Sequence, residues 1–574
     1  MKYNGTKSQL ISFVKQSPTL HFFGLQILQS IVTANWRKLY STENVLWQRA
    51  LNQKNKTPRV LMATGIAGWT NGALIESMLT AALTFRGADV HILLCRDILD
   101  TCIITKYPEL RIPGKGKKRR IRCDSCKSFG NLQFGCMGLP VHYYEDYVSI
   151  EERKKAIQIA SEIPLTDIQN YSFNDIKIGE HALAGALRYY ARGDLSGEPD
   201  GEVVLRKYLN AALLATLSVN NLFKKEQFDV ACFHHGIYCP QGLVGEVCRK
   251  TGVRVVNWNP AYRKHCFIFS HGDTYHHTMI TEPTKTWEQL PWTPELEKRT
   301  NEYLKSRWYG ANDWIWFHDK PEENLNKIQN EIGADNTRPW ITLLTNVMWD
   351  AQLHYQSNAF PNMLEWVRQT ILYFRNRQDL QLIIRVHPAE LRGHLPSRQL
   401  LVEEIRKEFP NLPDNVFIVL PESQVSTYAL ASRSNAVIIY NTKTGIEITS
   451  MGVPVIVAGE AWIRNKGFSL DASSPEDYFK ILDDLPLAHP LLAYQISSAR
   501  KYAFHIFFRR MIPLPFVMTE KEHGSTLKLN LPSLDHLLPG KYPGLDVICN
   551  GILTGSPFIY PAESEIWGGN LEEN

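Results

Sequence analysis

No stretch of about 20 consecutive apolar residues occurs in the sequence, which excludes an ordinary transmembrane helix. The N-terminus is not expected to be a secretory leader. Its apolar residues from Leu20 to Ile31 are interrupted by His21, Gly24, Gln26, Gln29 and Ser30, and no clean cleavage pattern follows. Leu20, Phe23, Leu25, Ile27, Leu28 and Ile31 instead suit one face of a short helix, which would pack on the body or, in a sharper reading, touch a membrane surface. The glycine-rich turn Thr64–Gly72 lacks the spacing of a dinucleotide fingerprint, so no nicotinamide or flavin cofactor is expected. Repeats and low-complexity tracts are absent. The net charge of +5 is small for 574 residues; it gives no sign of nucleic-acid binding and suits an anionic ligand or membrane surface. Ten cysteines are scattered without a disulfide pattern, as in a reduced cytoplasmic protein. Cys123, Cys126 and Cys136, with His142, are a candidate zinc set, but no second CxxC or HxxxH completes it, and the expected metal content is none.

With 44% hydrophobic and 21% charged residues, the chain has core enough for two large domains. Short apolar runs of strand type alternate with helical patterns, which predicts parallel, doubly wound sheets. Val60–Ala63, Ala88–Leu94, Phe228–Phe233 and Val253–Val256 supply strands of a first Rossmann-like domain with a helical insertion. Trp340–Leu344, Leu380–Ile384, Val416–Leu420, Ala436–Ile439 and Val453–Val457 supply those of a second. The expected division is a helical extension over 1–56, an N-terminal Rossmann-like domain over 57–335, a C-terminal Rossmann-like domain over 336–485, and a returning helix and tail over 486–574. Residues 101–150 read as irregular and include a basic run, Lys115–Arg122, suited to a solvated loop or to an anionic glycan, diphosphate or lipid head group. Residues 513–574 read as an extended surface tail, and 273–319 resist assignment.

In such sheets ligands bind at the carboxyl ends of the strands. Polar clusters stand there: Asn346 to Asp350, Arg385-Val386-His387-Pro388, and Asn441-Thr442-Lys443-Thr444-Gly445-Ile446-Glu447. The threonine turn before a helix offers hydroxyls and backbone N–H groups to a phosphate, and Gly445 would allow close approach. Glu447 suits a ribose. His387 can donate to a phosphate or protonate a leaving oxygen, and Arg385, two residues earlier, shares its face. On the opposite wall the candidate bases are Glu76, His234 and His235, with Asp350 between the domains.

These motifs, with Gly452-Val453-Pro454-Val455-Ile456 and Lys466–Asp471, resemble bacterial capsule or surface-polysaccharide biosynthesis proteins, relatives of Kdo transferases and, more distantly, of bacterial sialyltransferases. The resemblance spans about residues 57–510. It implies a GT-B-like, metal-independent glycosyltransferase with two facing Rossmann-like domains and no cofactor beyond its nucleotide-sugar donor. In those relatives the His-Pro pair and the Ser/Thr turn hold the CMP of a CMP-sugar. Carried over, His387 contacts the nucleotide, and Thr442 and Thr444 its phosphate. A second Ser/Thr usually stands directly beside the first, whereas here Lys443 separates the two threonines. The implied partners are a polysaccharide or lipid-linked acceptor and capsule-assembly proteins, in the cytoplasm and peripheral to the inner membrane. Other readings of the same residues are a UDP-sugar 2-epimerase, a glycerophosphate transferase, or a non-catalytic assembly scaffold.

Overall fold

Val60, Leu61, Met62 and Ala63 are completely buried at the centre of β1 (Arg59–Gly65), because a parallel strand covered by helices on both faces has no polar side. The structure, a computed structural model, describes residues 36–53, 57–110, 116–310, 312–314, 320–351, 358–519 and 526–567. β1 is followed by helix α1 (Thr70–Phe85), β2 (Asp89–Leu94) and β3 (Val141–Tyr143). After a helical insertion come β4 (Val230–His234), helix α2 (Gln241–Thr251), β5 (Arg254–Pro260) and β6 (Cys266–His271). The order is β3–β2–β1–β4–β5–β6, parallel except for β6. The chain reverses direction across the sheet between β1 and β4, which opens a crevice at their carboxyl ends.

Helix α3 (Pro294–Arg307) leads towards the second sheet. That sheet contains β7 (Trp340–Leu344), β8 (Gln381–Arg385), β9 (Val416–Val419), β10 (Ala436–Ile439), β11 (Val455–Val457) and β12 (Leu470–Asp471). All its pairs are parallel, in the order β9–β8–β7–β10–β11–β12, and its switch point lies between β7 and β10. Helix α4 (Thr444–Ser450) follows β10. Helix α5 (Ala493–Phe504) then returns to the first domain, where β13 (Met511–Pro513) pairs antiparallel with β6.

The alternation of side chains along a strand divides the cores. On β10, Val437 and Ile439 join the core of the first domain through α5, while Ala436 and Ile438 face the second core with Trp366 and Phe374. One face of the second sheet is thus welded to the first domain, which fixes how the two carboxyl-end edges meet.

Three segments differ from the sequence reading. The basic run opens a helix, Gly116–Phe134; Arg119 pairs with Asp97 and Asp100, and Arg122 with Glu109, so these arginines are committed within the domain. The C-terminal segment contains a helix, Pro543–Thr554, with Leu545, Ile548, Cys549 and Ile552 buried at a spacing that marks one helical face. The stretch after Asp273 holds the helix Tyr275–Thr281 and α3, both of which reach the cleft. At the N-terminus, Trp36–Thr42 and Asn44–Leu51 are helical. Trp36 donates to Ser77 Oγ (3.1 Å) and Trp47 to the Met137 carbonyl (2.9 Å). The Leu20–Ile31 face lies outside the described residues. Among the described residues no helix is long and apolar enough to cross a membrane.

Candidate functional site

The carboxyl ends of β7, β8 and β10 face the first domain across a cavity of about 750 Å³. Its second-domain wall includes Thr345, Asn346, His387, Thr442, Lys443 and Thr444; its other wall includes Arg188, Tyr262, His276 and Arg307; Asp350 sits between them.

Each side chain is held by the turn that presents it. Thr345 Oγ1 accepts the His387 backbone N–H (3.0 Å), linking the ends of β7 and β8. His387 Nδ1 accepts the Ala389 N–H (3.1 Å), so the neutral ring carries its proton on Nε2. Asn346 lines the cavity, and its Oδ1 is buried without a hydrogen-bond partner among the described residues. Thr442 Oγ1 accepts the Thr444 N–H (3.3 Å) and donates to Thr444 Oγ1 (3.2 Å), which leaves the Thr444 hydroxyl proton to be directed elsewhere. Because α4 has only seven residues, its dipole offers an anion little, and any such contact would fall to the side chains of the turn.

Three expected donor contacts turn inward. Arg385 lines the cavity, but its guanidinium donates to the carbonyls of Leu420 (2.5 Å), Ser423 (3.2 Å) and Val386 (3.3 Å), and burial lowers its pKa to about 10. It ties the loop after β9 to β8. A Cβ on Gly445 would lie 2.7 Å from the Cδ1 atoms of both Ile439 and Ile463, so this glycine serves the packing of α4 on β10 and does not line the cavity. Glu447 does not line it either. Its buried carboxylate meets Lys443 Nζ (2.8 Å), Arg307 Nε (3.1 Å) and the Tyr428 hydroxyl. Burial alone would raise this carboxyl, but Arg307 and Lys443 outweigh burial and hold it at about 2. Arg307 also pairs with Asp313, which accepts a hydrogen bond from Tyr303 (2.9 Å). Four charges balance within this cluster, which joins α3 to α4.

On the first-domain wall, His234 and His235 stand at the end of β4, as their place after a strand predicts, but do not line the main cavity. His234 packs on Trp69 with centroids 3.6 Å apart and the rings tilted by 33°. His235 adopts a left-handed backbone (φ 64°) and lies 5.6 Å, centroid to centroid, from His276, which does line the cavity. Burial lowers His234 well below the usual histidine range and brings His235 and His276 to about 3, so all three rings are neutral near pH 7. His276 Nε2 has no hydrogen-bond partner among the described residues. Asp350 is exposed to the cleft and accepts a hydrogen bond from Tyr238 (3.1 Å). Glu76 lies behind this layer. Its Oε1 accepts the His234 N–H (3.0 Å) and the Trp258 indole N–H (2.9 Å), and burial raises its carboxyl to about 7.

Sequence reasoning missed His276, Arg307, Asp313 and Tyr428. Tyr428 follows the loop after β9, and the strand-end rule could have found it. The others lie in a segment without periodicity, and their partners are distant in sequence. Among the described residues no group of three or more His, Cys, Asp or Glu side chains could hold a metal ion. His142 bonds to His91 (2.8 Å) and Tyr147 (2.6 Å), while Cys126 accepts the Gly68 N–H (3.0 Å).

Two Rossmann-like domains facing one cleft are a GT-B-like architecture. Residues 319–489 match the family described as capsule polysaccharide biosynthesis protein, covering β7 to β12 and most of the second-domain wall. Among solved structures the chain is similar to KpsC of Thermosulfurimonas dismutans, a β-Kdo 2,4-transferase, at 12% identity over 48% of this chain and 80% of that one, with a TM-score of 0.32. It is also similar to the Methanocaldococcus jannaschii UDP-GlcNAc 2-epimerase solved with UDP-GlcNAc and UDP, at 12% identity over 78% and 98% of the chains, TM-score 0.25. A third is the calicheamicin glycosyltransferase CalG4, at 10% identity over 78% and 94%, TM-score 0.23. No curated protein matches the chain.

Proposed function

We propose that the protein is a glycosyltransferase that moves a sugar from a nucleotide donor to a capsule or surface polysaccharide or its lipid-linked precursor. The observation that carries this reading is the cleft itself. One wall gathers His387, Thr442 and Thr444 at strand ends, while His276 approaches from the other side and Asp350 sits between the two. The match of residues 319–489 to the capsule family supports the polysaccharide context.

In this reading the donor phosphate lies against Thr442 and Thr444, and the His387 Nε2–H donates to a phosphate oxygen. The acceptor hydroxyl oxygen bonds to the anomeric carbon as the bond from that carbon to the phosphate oxygen breaks. The phosphate leaves with the electron pair, and Asp350, held by Tyr238, takes the hydroxyl proton. His276, a neutral ring lining the cavity, can orient the hydroxyl by donating to its oxygen. Charge developing on the leaving phosphate meets donors already in place, so little reorganisation accompanies transfer. The reading assigns no metal ion to this step, and CMP is the nucleotide that the resemblance favours.

The test is a thermal-shift screen with CMP, UDP and GDP, followed by incubation with the matching nucleotide sugars with and without acceptor. Stabilisation by one nucleotide and acceptor-dependent release of that nucleotide are expected. Epimerisation of the sugar without acceptor, or failure of every nucleotide to bind, overturns the reading.

A further inference from the structure

Lys443 is the residue by which this chain departs from the paired-hydroxyl turn, and the structure gives its side chain an unusual setting. Lys443 lines the cavity with Thr442, Thr444 and Tyr262, and its ammonium lies 2.8 Å from Glu447 Oε1 and 4.4 Å from the centre of the Tyr262 ring. An ammonium has three N–H donors. Glu447 is the one hydrogen-bond acceptor it meets among the described residues, and the face of Tyr262 attracts the charge from a second side. Tyr262 itself lines the cavity, so the ammonium stands at its edge.

The other cations lining the cavity are differently engaged. Arg307 is wedged between Glu447 and Asp313, Arg385 directs its donors at backbone carbonyls, Arg392 donates to the Glu422 carbonyl (3.2 Å), and Arg188 lies over the Tyr238 ring on the opposite wall. Lys443 is also held in place before any ligand arrives. Glu447 fixes its tip, and Arg307 and the Tyr428 hydroxyl fix Glu447 in turn. A long side chain that is already ordered loses little rotamer entropy on meeting a ligand. Burial, with Arg307 beside it, lowers the pKa of this ammonium, so an arriving anion would relieve an electrostatic cost already present.

We propose that Lys443 is a further donor-phosphate ligand of this site, the charged one beside Thr442, Thr444 and His387, supplying as a point charge what a second hydroxyl would supply only as a dipole. The inference rests on the nucleotide-donor reading above. Arg307, Glu447 and Tyr428 are positioning residues: they touch Lys443 or its partner and not the phosphate.

The test separates phosphate recognition from base and ribose recognition. Isothermal titration compares CMP, UDP and GDP with cytidine, uridine and guanosine on the wild type, Lys443→Gln and Lys443→Arg. The wild type should prefer one nucleotide over its nucleoside. Lys443→Gln should lose at least about tenfold for that nucleotide while its nucleoside affinity stays within about twofold. Lys443→Arg should retain most of the nucleotide preference, because it keeps the charge. A second measurement needs no variant: amine-directed acylation of the wild type read by mass spectrometry, in which the nucleotide but not the nucleoside should protect Lys443. An undiminished nucleotide preference in a folded Lys443→Gln protein, or equal protection by nucleotide and nucleoside, overturns the assignment while the nucleotide reading stands. A wild type that binds no nucleotide overturns both.

Discussion

Replacing Glu76 with glutamine tests how the first-domain wall is built. The carboxyl is buried in α1, and its Oε1 takes the His234 N–H and the Trp258 indole N–H. Burial raises its pKa from 4.5 to about 7. At about 1.36 kcal/mol per unit of pH, that rise corresponds to about 3 kcal/mol. The sign follows from proton counting. Between 4.5 and about 7 the folded state holds the proton that the unfolded state has released, so stability falls as pH rises through that window. Above about 7 the folded protein carries a buried carboxylate. Glutamine keeps the oxygen acceptor for both N–H groups and removes the charge. Glu76→Gln should therefore unfold several degrees higher than the wild type at pH 8, and the gap should close as pH falls below about 5. Thermal unfolding followed by near-ultraviolet circular dichroism at half-unit pH steps measures this. A gap that does not vary with pH, or a variant less stable than the wild type at pH 8, refutes the reasoning. Because Glu76 lies behind His234, the variant should also retain turnover, which separates it from the base.

Other outcomes follow from the same geometry. Asp350→Asn should lower kcat by roughly a hundredfold or more while nucleotide affinity is unchanged, measured by nucleotide release and titration in parallel. Thr444→Val should weaken nucleotide binding without lowering Tm, since the hydroxyl lines the cavity. Arg307→Met should destabilise the protein by about 3–5 kcal/mol, because it strands the buried Asp313 carboxylate and leaves Glu447 with Lys443 as its one cation; denaturant titration reads this. The depressed Glu447 carboxyl contributes stability that is present above pH 4.5 and is lost as pH falls towards 2, so the gap between wild type and Arg307→Met should narrow in acid. Gly236→Ala should cost roughly 1–3 kcal/mol, because the residue has φ 77° and a Cβ would lie 2.7 Å from Asn257 Oδ1.

The central strands of both sheets were legible because each is a short apolar run leading into a polar turn; the edge strands Val141–Tyr143, Cys266–His271, Leu470–Asp471 and Met511–Pro513 were not, because short edge strands carry little local pattern. β7, β8 and β10 carry Asn346, His387 and Thr442 at or just beyond their carboxyl ends, where the sequence puts them. The helix Pro543–Thr554 was read as part of an extended tail, because the surrounding prolines and glycines obscured its spacing.

Local sequence thus determined the two doubly wound sheets and the polar residues at their carboxyl ends, because hydrophobic period and turn chemistry act over a few residues. It did not determine which polar groups face the ligand. Glu447 and Thr444 lie three residues apart on one short helix, yet one closes a buried ion cluster and the other opens on the cavity. That choice depends on Arg307, which lies 140 residues before Glu447 and reaches it only because α5 and β13 return the chain to the first sheet. His276 reaches the cleft by the same long-range packing. Such partners leave no mark in local sequence, because an ion pair has no period and only the folded chain brings its two halves together.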